Sequence, residues 1–150
     1  MNTVSISRFT PSTMSAELLE RLFVVRKPIL EALMKRVKAL GRTPSPHHTL
    51  LVGPRGAGKT HLISLVYHRC KSLGKTGDGK PLRIAWLPED PWTLVSYGRL
   101  LAAILERVVP DFDNQKIAEP ELDALIRHTS REDGPILVLA ENLDQILEAL

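Results

Sequence analysis

The residues with the clearest chemistry lie between positions 53 and 60, where the sequence reads GPRGAGKT. This run fits the pattern G-x-x-x-x-G-K-[ST], with Gly53, Gly58, Lys59 and Thr60 at the constrained positions. Glycines remove side chains so that backbone N–H groups can turn toward phosphate oxygens, and the helix that follows adds the positive end of its dipole. A lysine at this position neutralises phosphate charge, and the threonine hydroxyl coordinates Mg²⁺. The sequence therefore predicts a nucleoside polyphosphate site rather than a glycine-rich turn with an exposed lysine.

The predicted contacts with the bound nucleotide extend along the whole loop. The loop residues expected to bind it are Gly53, Pro54, Arg55, Gly56, Ala57, Gly58, Lys59, Thr60 and His61. For the His61 side chain, packing on the helix is the alternative to a contact with the ligand.

An acidic segment follows the last apolar run of the chain. Nucleoside-triphosphate chemistry usually needs a carboxylate at the end of a neighbouring strand, where it holds Mg²⁺ through water. The run ILVLA at 136–140 is followed by Glu141, Asn142 and Asp144, the only strong candidate segment in the sequence. We therefore predict that Thr60 and Glu141 bind the metal, Glu141 through water. The alternative is that Glu141 is a solvated residue at a strand end.

Short apolar runs alternate with amphipathic segments along the chain, and together they must position these residues. Strands are predicted at 49–52, 82–87 and 136–140, because each is short and apolar throughout, as a strand buried on both faces should be. Helices are predicted at 16–23, from Pro28 to the cap position Gly41, from the loop to Gly74, at 94–109, at 121–130 and from 143 onward. This alternation predicts an α/β fold with a mostly parallel sheet.

Helical spacing also predicts which residues of two helices face the core. On the helix that begins at Pro28 they are Ile29, Leu30, Leu33, Met34 and Val37. On the helix that follows the loop they are Leu62, Ile63, Val66, Tyr67, Cys70 and Leu73.

Composition excludes several classes of protein. The chain has 150 residues, of which 43% are hydrophobic and 25% charged, which is typical of a globular domain and not of a disordered, collagenous or coiled-coil chain. No apolar run approaches the roughly 18–20 residues of a membrane span, and a single cysteine cannot form an internal disulfide. We therefore expect a cytoplasmic protein without a membrane partner. The net charge of +3 would tolerate a polyanion but does not argue for one.

Three motifs together resemble the AAA+ and related P-loop ATPases. They are GPRGAGKT, ILVLAENLD and, upstream, FVVRKPIL, and the likeness to bacterial ATP-binding proteins near the origin-recognition and STAND branches extends over roughly residues 17–150. The resemblance implies a three-layer P-loop fold that is incomplete at its C-terminal side, because the sensor strand, arginine finger and helical lid of the family are missing. Residues 1–14 are rich in Ser and Thr and have no clear period, so we predict a leader arm at 1–14, a helical segment with a linker at 15–46, and the P-loop core at 47–150.

The resemblance assigns roles in two registers for the acidic segment. The preferred register places Glu141 at the metal-binding aspartate of the family and Asn142 at the water-polarising glutamate, and the other places Ala140 and Glu141 there. Upstream, FVVRKPIL is similar to a family box that lies against adenine, although Val25 replaces a glycine and Lys27 a glutamate. It implies nucleotide-edge contacts from Val24 to Arg26, the alternative being an interhelix turn with apolar packing.

The function implied is binding of Mg-ATP and its hydrolysis to ADP and phosphate in the intact protein. Lys59, Glu141 and Asn142 would be the catalytic residues, Asn142 by positioning the attacking water. Because Asn142 cannot accept a proton from that water, a nucleotide-dependent switch with little turnover is the alternative, and a truncated remnant without function is a third. A protein partner or self-association is expected, and DNA contact by the full-length protein is left open.

Overall fold

The computed structural model describes residues 14–40, 42, 48–87, 96–110 and 118–140. Within them lie five helices and two strands. In chain order these are α1 (Ala16–Leu22), α2 (Lys27–Ala39), α3 (Lys59–Leu73), β1 (Arg83–Leu87), α4 (Tyr97–Val108), α5 (Glu119–Glu132) and β2 (Ile136–Ala140). The predicted helix from 143 onward lies outside the described residues.

The helices begin where the local chemistry predicts. Ser15 caps α1 by accepting a hydrogen bond from the backbone N–H of Leu18, and Ser96 caps α4 in the same way through Arg99. Pro28 lies in the first turn of α2, where its missing N–H costs no helical hydrogen bond. At the other end of α3, Gly74 takes a left-handed conformation with φ of 65° and closes the helix.

β1 and β2 pair in parallel, with Arg83 opposite Ile136 and Leu87 opposite Ala140. The connection between them contains α4 and α5, as expected of a crossover between parallel strands. The two-strand sheet and its helices confirm a small α/β arrangement with a parallel sheet.

Helices pack on both faces of this sheet, because successive strand side chains point to opposite sides. On one face Ile84, Leu137 and Leu139 pack against the main core, the cluster of buried side chains built mostly from α1, α2 and α3. On the other face Ala85 and Leu87 are buried against α4. The segment 53–60, called the phosphate loop here after its predicted role, leads into α3 and therefore belongs to the layer made by the first three helices.

The prediction of a strand at 49–52 is wrong for this structure. Residues 48–54 carry no strand assignment, and Leu50 and Val52 are 60% and 86% exposed. The segment is apolar, but a strand also needs a neighbouring edge for its backbone N–H and C=O groups. The described residues give it no such ladder. Leu51 alone of its apolar side chains packs against the main core.

Two smaller predictions about helices differ from the structure. Ile29 was expected in the core of α2 but is 45% exposed, because it lies at the edge of the face that carries Leu30, Met34 and Val37. α5 begins at Glu119 rather than 121, since Pro120 is tolerated in a first helical turn. No helix among the described residues has the length and apolar character required to cross a membrane.

Candidate functional site

The loop from Gly53 to Gly58 turns sharply through two glycines in the left-handed region. Gly56 and Gly58 both have φ of 77°, a conformation that L side chains rarely adopt. Within the loop, the N–H of Ala57 donates to the carbonyl of Pro54 at 3.1 Å, and this hydrogen bond closes a tight turn. Of the two glycines that the motif fixes, only Gly58 therefore has a backbone conformation that requires glycine; Gly56 stands at an unconstrained position of the motif, and Gly53 has no positive φ.

α3 begins directly at this turn with an uncapped N-terminus. Gly58 is the N-cap and supplies no side-chain hydrogen bond, while its carbonyl accepts the helical bond from Leu62 at 3.0 Å. The first turn of α3 holds no acidic residue. The first N–H groups of a helix have no partner inside the helix, so this end of α3 can donate to an anion.

Lys59 folds back over the loop. Its ammonium Nζ donates to the carbonyl of Gly53 at 2.7 Å and to that of Pro54 at 3.0 Å. These two bonds hold the positive charge of Lys59 against the first two residues of the loop. A phosphate group would offer this ammonium a charged acceptor in place of two neutral carbonyls.

Thr60 and His61 follow in the first turn of α3 and point to different surroundings. Thr60 is half-buried and lines a groove of about 200 Å³ together with Lys59. His61 instead turns toward α1, where Nε2 donates to the carbonyl of Leu19 at 2.9 Å and the ring lies 5.6 Å from that of Phe23. The side chain of His61 therefore binds the fold, and its backbone N–H is the part that remains at the loop.

Arg26 reaches the same place from the turn between α1 and α2. A Cβ added to Gly58 would lie 3.7 Å from Nη1 of Arg26, so the guanidinium sits beside the start of α3. In this turn Val24 is 72% and Val25 87% exposed. These two valines therefore do not take part in the apolar packing of the turn, whereas Phe23 beside them is buried in the core.

The end of β2 borders the same groove as the phosphate loop. Ala140, the last residue of β2, lines the groove with Lys59 and Thr60. Glu141 and Asn142, predicted as metal-binding and water-positioning residues, lie outside the described residues, and so does Asp144. The structure thus brings the strand that leads to the acidic segment up to the phosphate loop.

Outside the loop, the thiol of Cys70 and the side chains that could bind a metal are further candidates for chemistry. Burial raises the pKa of the Cys70 thiol to about 12, which keeps it protonated and unreactive at neutral pH. The described stretches of the chain hold no cluster of three or more His, Cys, Asp or Glu side chains that could bind a metal. Mg²⁺ needs no such cluster, because it is commonly held by one or two protein ligands together with substrate phosphates and water. The Thr60 hydroxyl fits that kind of site.

The sequence predicted a glycine turn at 53–58 and named Arg26 among the residues expected at the nucleotide, but it did not predict two details of the geometry. The carbonyl partners of Lys59 depend on a turn geometry that no motif letter encodes. The position of the Arg26 guanidinium depends on how α2 packs beside α3. The signal for Arg26 was the segment FVVRKPIL, which predicts a contact with the nucleotide but not the distance from Gly58. No family model, curated protein or solved structure matches this chain.

Proposed function

We propose that the chain is the ATP-binding module of an AAA-like P-loop ATPase, which binds Mg-ATP and hydrolyses it to ADP and phosphate in the intact protein. The observation that carries the proposal is the loop itself. Two left-handed glycines, an uncapped helix and a folded-back lysine occur together at Gly53–Thr60. Each of these features favours an anion with several phosphate oxygens.

Within this proposal each residue has a distinct task. The backbone from Gly53 to Gly58 binds phosphate oxygens, and Lys59 neutralises the charge on the transferred group. The Thr60 hydroxyl holds Mg²⁺, whose role in this chemistry is to neutralise charge on the phosphates and orient them. Glu141 and Asn142 follow β2, whose last residue borders the groove that Lys59 and Thr60 line. The three-layer P-loop fold belongs to the same proposal and is supported by helices on both faces of a parallel sheet.

A second candidate is a nucleotide-dependent switch, which binds ATP or ADP with little turnover. It is favoured by Asn142, which in the preferred register of the acidic segment stands where a proton acceptor would activate water. An amide can orient a water molecule through hydrogen bonds but does not take its proton.

The decisive experiment measures ATP binding and phosphate release for the wild-type chain and for Lys59→Ala. We expect Lys59→Ala to weaken Mg-ATP binding at least about 100-fold, which corresponds to about 2.7 kcal/mol. Lys35→Ala is the matched control, because it removes the same charge from an exposed site on α2. Equal affinities for the two variants would contradict the proposal.

Phosphate release then separates the two candidate functions. Turnover that disappears in Lys59→Ala supports an ATPase and contradicts the switch. Tight binding of ATP without phosphate release in the wild-type protein supports the switch and contradicts the ATPase.

A further inference from the structure

The guanidinium of Arg26 is a second cation at the phosphate loop, and it has no carboxylate partner among the described residues. The guanidinium of Arg26 is the nearest group to the position that a side chain on Gly58 would occupy, at 3.7 Å from Nη1. Within the described parts of the chain, no hydrogen bond or ion pair engages this guanidinium. Arg26 is only half-exposed. A half-buried guanidinium without a carboxylate retains five donors for another group.

The local field at this position is positive from three sources. α2 and α3 lie side by side and run in the same sense, because Arg26 is beside Gly58 and, further along, Met34 and Leu65 line one cavity. Their N-termini therefore lie at the same end of the pair. Neither helix has a side-chain cap or an acidic residue in its first turn. The ammonium of Lys59 adds a third positive group.

A cation at a helix N-terminus is electrostatically unfavourable, since that end carries partial positive charge. Arginines at such positions are normally balanced by a carboxylate, and here the described residues provide none. An anion bound at the loop would balance Arg26, Lys59 and both helix ends together. Planar guanidinium groups bind phosphate oxygens with two parallel hydrogen bonds, which suits a chain of phosphates better than a neutral base.

We infer that Arg26 binds the phosphate chain of the nucleotide rather than its base. This inference rests on the proposed function and adds a second cation to the phosphate site. The exposed side chains of Val24 and Val25 remain available for the base. In this proposal the turn between α1 and α2 contacts the phosphates through Arg26 and the base through the two valines.

The two locations for Arg26 can be separated with a ligand that has no base. Binding of Mg-ATP and of inorganic tripolyphosphate with Mg²⁺ is measured by calorimetry for the wild-type chain, Arg26→Ala, Arg26→Lys and Lys35→Ala. We expect Arg26→Ala to weaken both ligands by the same factor, about 10- to 100-fold, because a charge-assisted hydrogen bond to phosphate is lost in each case. Arg26→Lys should recover part of the affinity, since it keeps the charge and loses the planar pair of donors.

The outcomes of this experiment are distinct. If Arg26→Ala weakens ATP but leaves tripolyphosphate binding equal to that of Lys35→Ala, the guanidinium contacts the base and the inference is wrong while the ATP site stands. The inference is also wrong, with the ATP site again intact, if Arg26→Ala matches Lys35→Ala for both ligands. If the wild-type chain binds neither ligand, the proposed function fails and the inference fails with it. Circular dichroism confirms that the variants are folded, which is expected because no described bond depends on the Arg26 side chain.

Discussion

Two apolar segments of similar composition differ in structure: residues 136–140 precede the acidic segment, and residues 49–52 precede the phosphate loop. Ile136–Ala140 forms β2, pairs along its length with β1, and has Val138 as its most exposed side chain at 39%. Residues 49–52 enter the phosphate loop without a ladder, and Val52 is 86% exposed. Apolar character favours burial, but an available neighbouring edge decides whether such a run becomes a strand. The phosphate loop is therefore positioned by helices, while the acidic segment follows a paired strand.

The largest effect that follows from this comparison is a difference in stability between two matched substitutions. Leu137→Ala removes methyl groups from a side chain that packs on the main core and should lower the free energy of unfolding by about 2–3 kcal/mol. Leu50→Ala removes the same groups from a side chain that is 60% exposed and should cost less than about 0.5 kcal/mol. Urea unfolding of both variants measures the difference. Equal losses would mean that 49–52 is as well packed as β2.

This contrast also explains which parts of the structure could be predicted from sequence. Periodicity, caps and turn residues are local, so β2 was predicted with its observed ends and α3 with its end at Gly74. The pairing of a strand is not local, and the apolar letters of 49–52 do not reveal whether an edge will be present. The loop of the candidate site was predictable because its glycines encode a backbone conformation. The resemblance predicted that Arg26 contacts the nucleotide, but the position of its guanidinium beside Gly58 was not predictable, since it depends on the packing of α2 beside α3.

The next effect concerns how the unpaired segment responds to ligand. Without nucleotide, the amides of Leu50, Leu51 and Val52 should exchange with solvent much faster than those of Ile84 to Trp86, because only the latter belong to a paired strand. Saturating Mg-ATP should slow exchange at 50–52 about tenfold, or about 1.4 kcal/mol, by holding the loop that follows them. Hydrogen exchange with mass spectrometry measures both states, and Lys59→Ala is the control.

Two results would contradict this expectation. Protection at 50–52 equal to that of β1 without nucleotide would mean that the segment is already paired. If Mg-ATP slows exchange at 50–52 in Lys59→Ala as much as in the wild-type chain, the effect does not arise at the phosphate loop.

A smaller effect separates the role of glycine in the fold from its role in binding. Gly58 and Gly74 flank α3 and both have positive φ, of 77° and 65°. Alanine at either position should lower the free energy of unfolding by about 1 kcal/mol, because a Cβ disfavours the left-handed conformation. Only Gly58→Ala should also weaken Mg-ATP binding, since Gly58 precedes Lys59 in the loop and a Cβ there would lie 3.7 Å from the guanidinium of Arg26. Thermal unfolding and calorimetry on the two variants test this, and equal ATP affinities would contradict the assignment of the loop.

The smallest effect belongs to an ion pair that ties α1 to α3 and so helps the helical layer position the loop. Nε and Nη2 of Arg69 donate to the two carboxylate oxygens of Glu20, at 2.8 and 3.1 Å. The hydrogen bond from Arg69 lowers the pKa of Glu20 below its usual 4.5. Because the folded-state pKa is the lower one, the pair stabilises the fold above pH 4.5 and the contribution is lost as pH falls through the folded-state pKa.

Glu20→Gln should therefore lower the free energy of unfolding near pH 7 by less than about 1 kcal/mol, since both side chains are partly exposed and solvent screens the pair. The difference from the wild-type chain should shrink toward zero as the pH falls through the lowered folded-state pKa of Glu20, because the carboxylate is then protonated in both the folded and the unfolded state. Urea unfolding across this pH range measures it, with Glu132→Gln as the control at an exposed site on α5. A difference that persists unchanged at the lowest pH would mean that Glu20 acts through packing of its side chain and not through its charge.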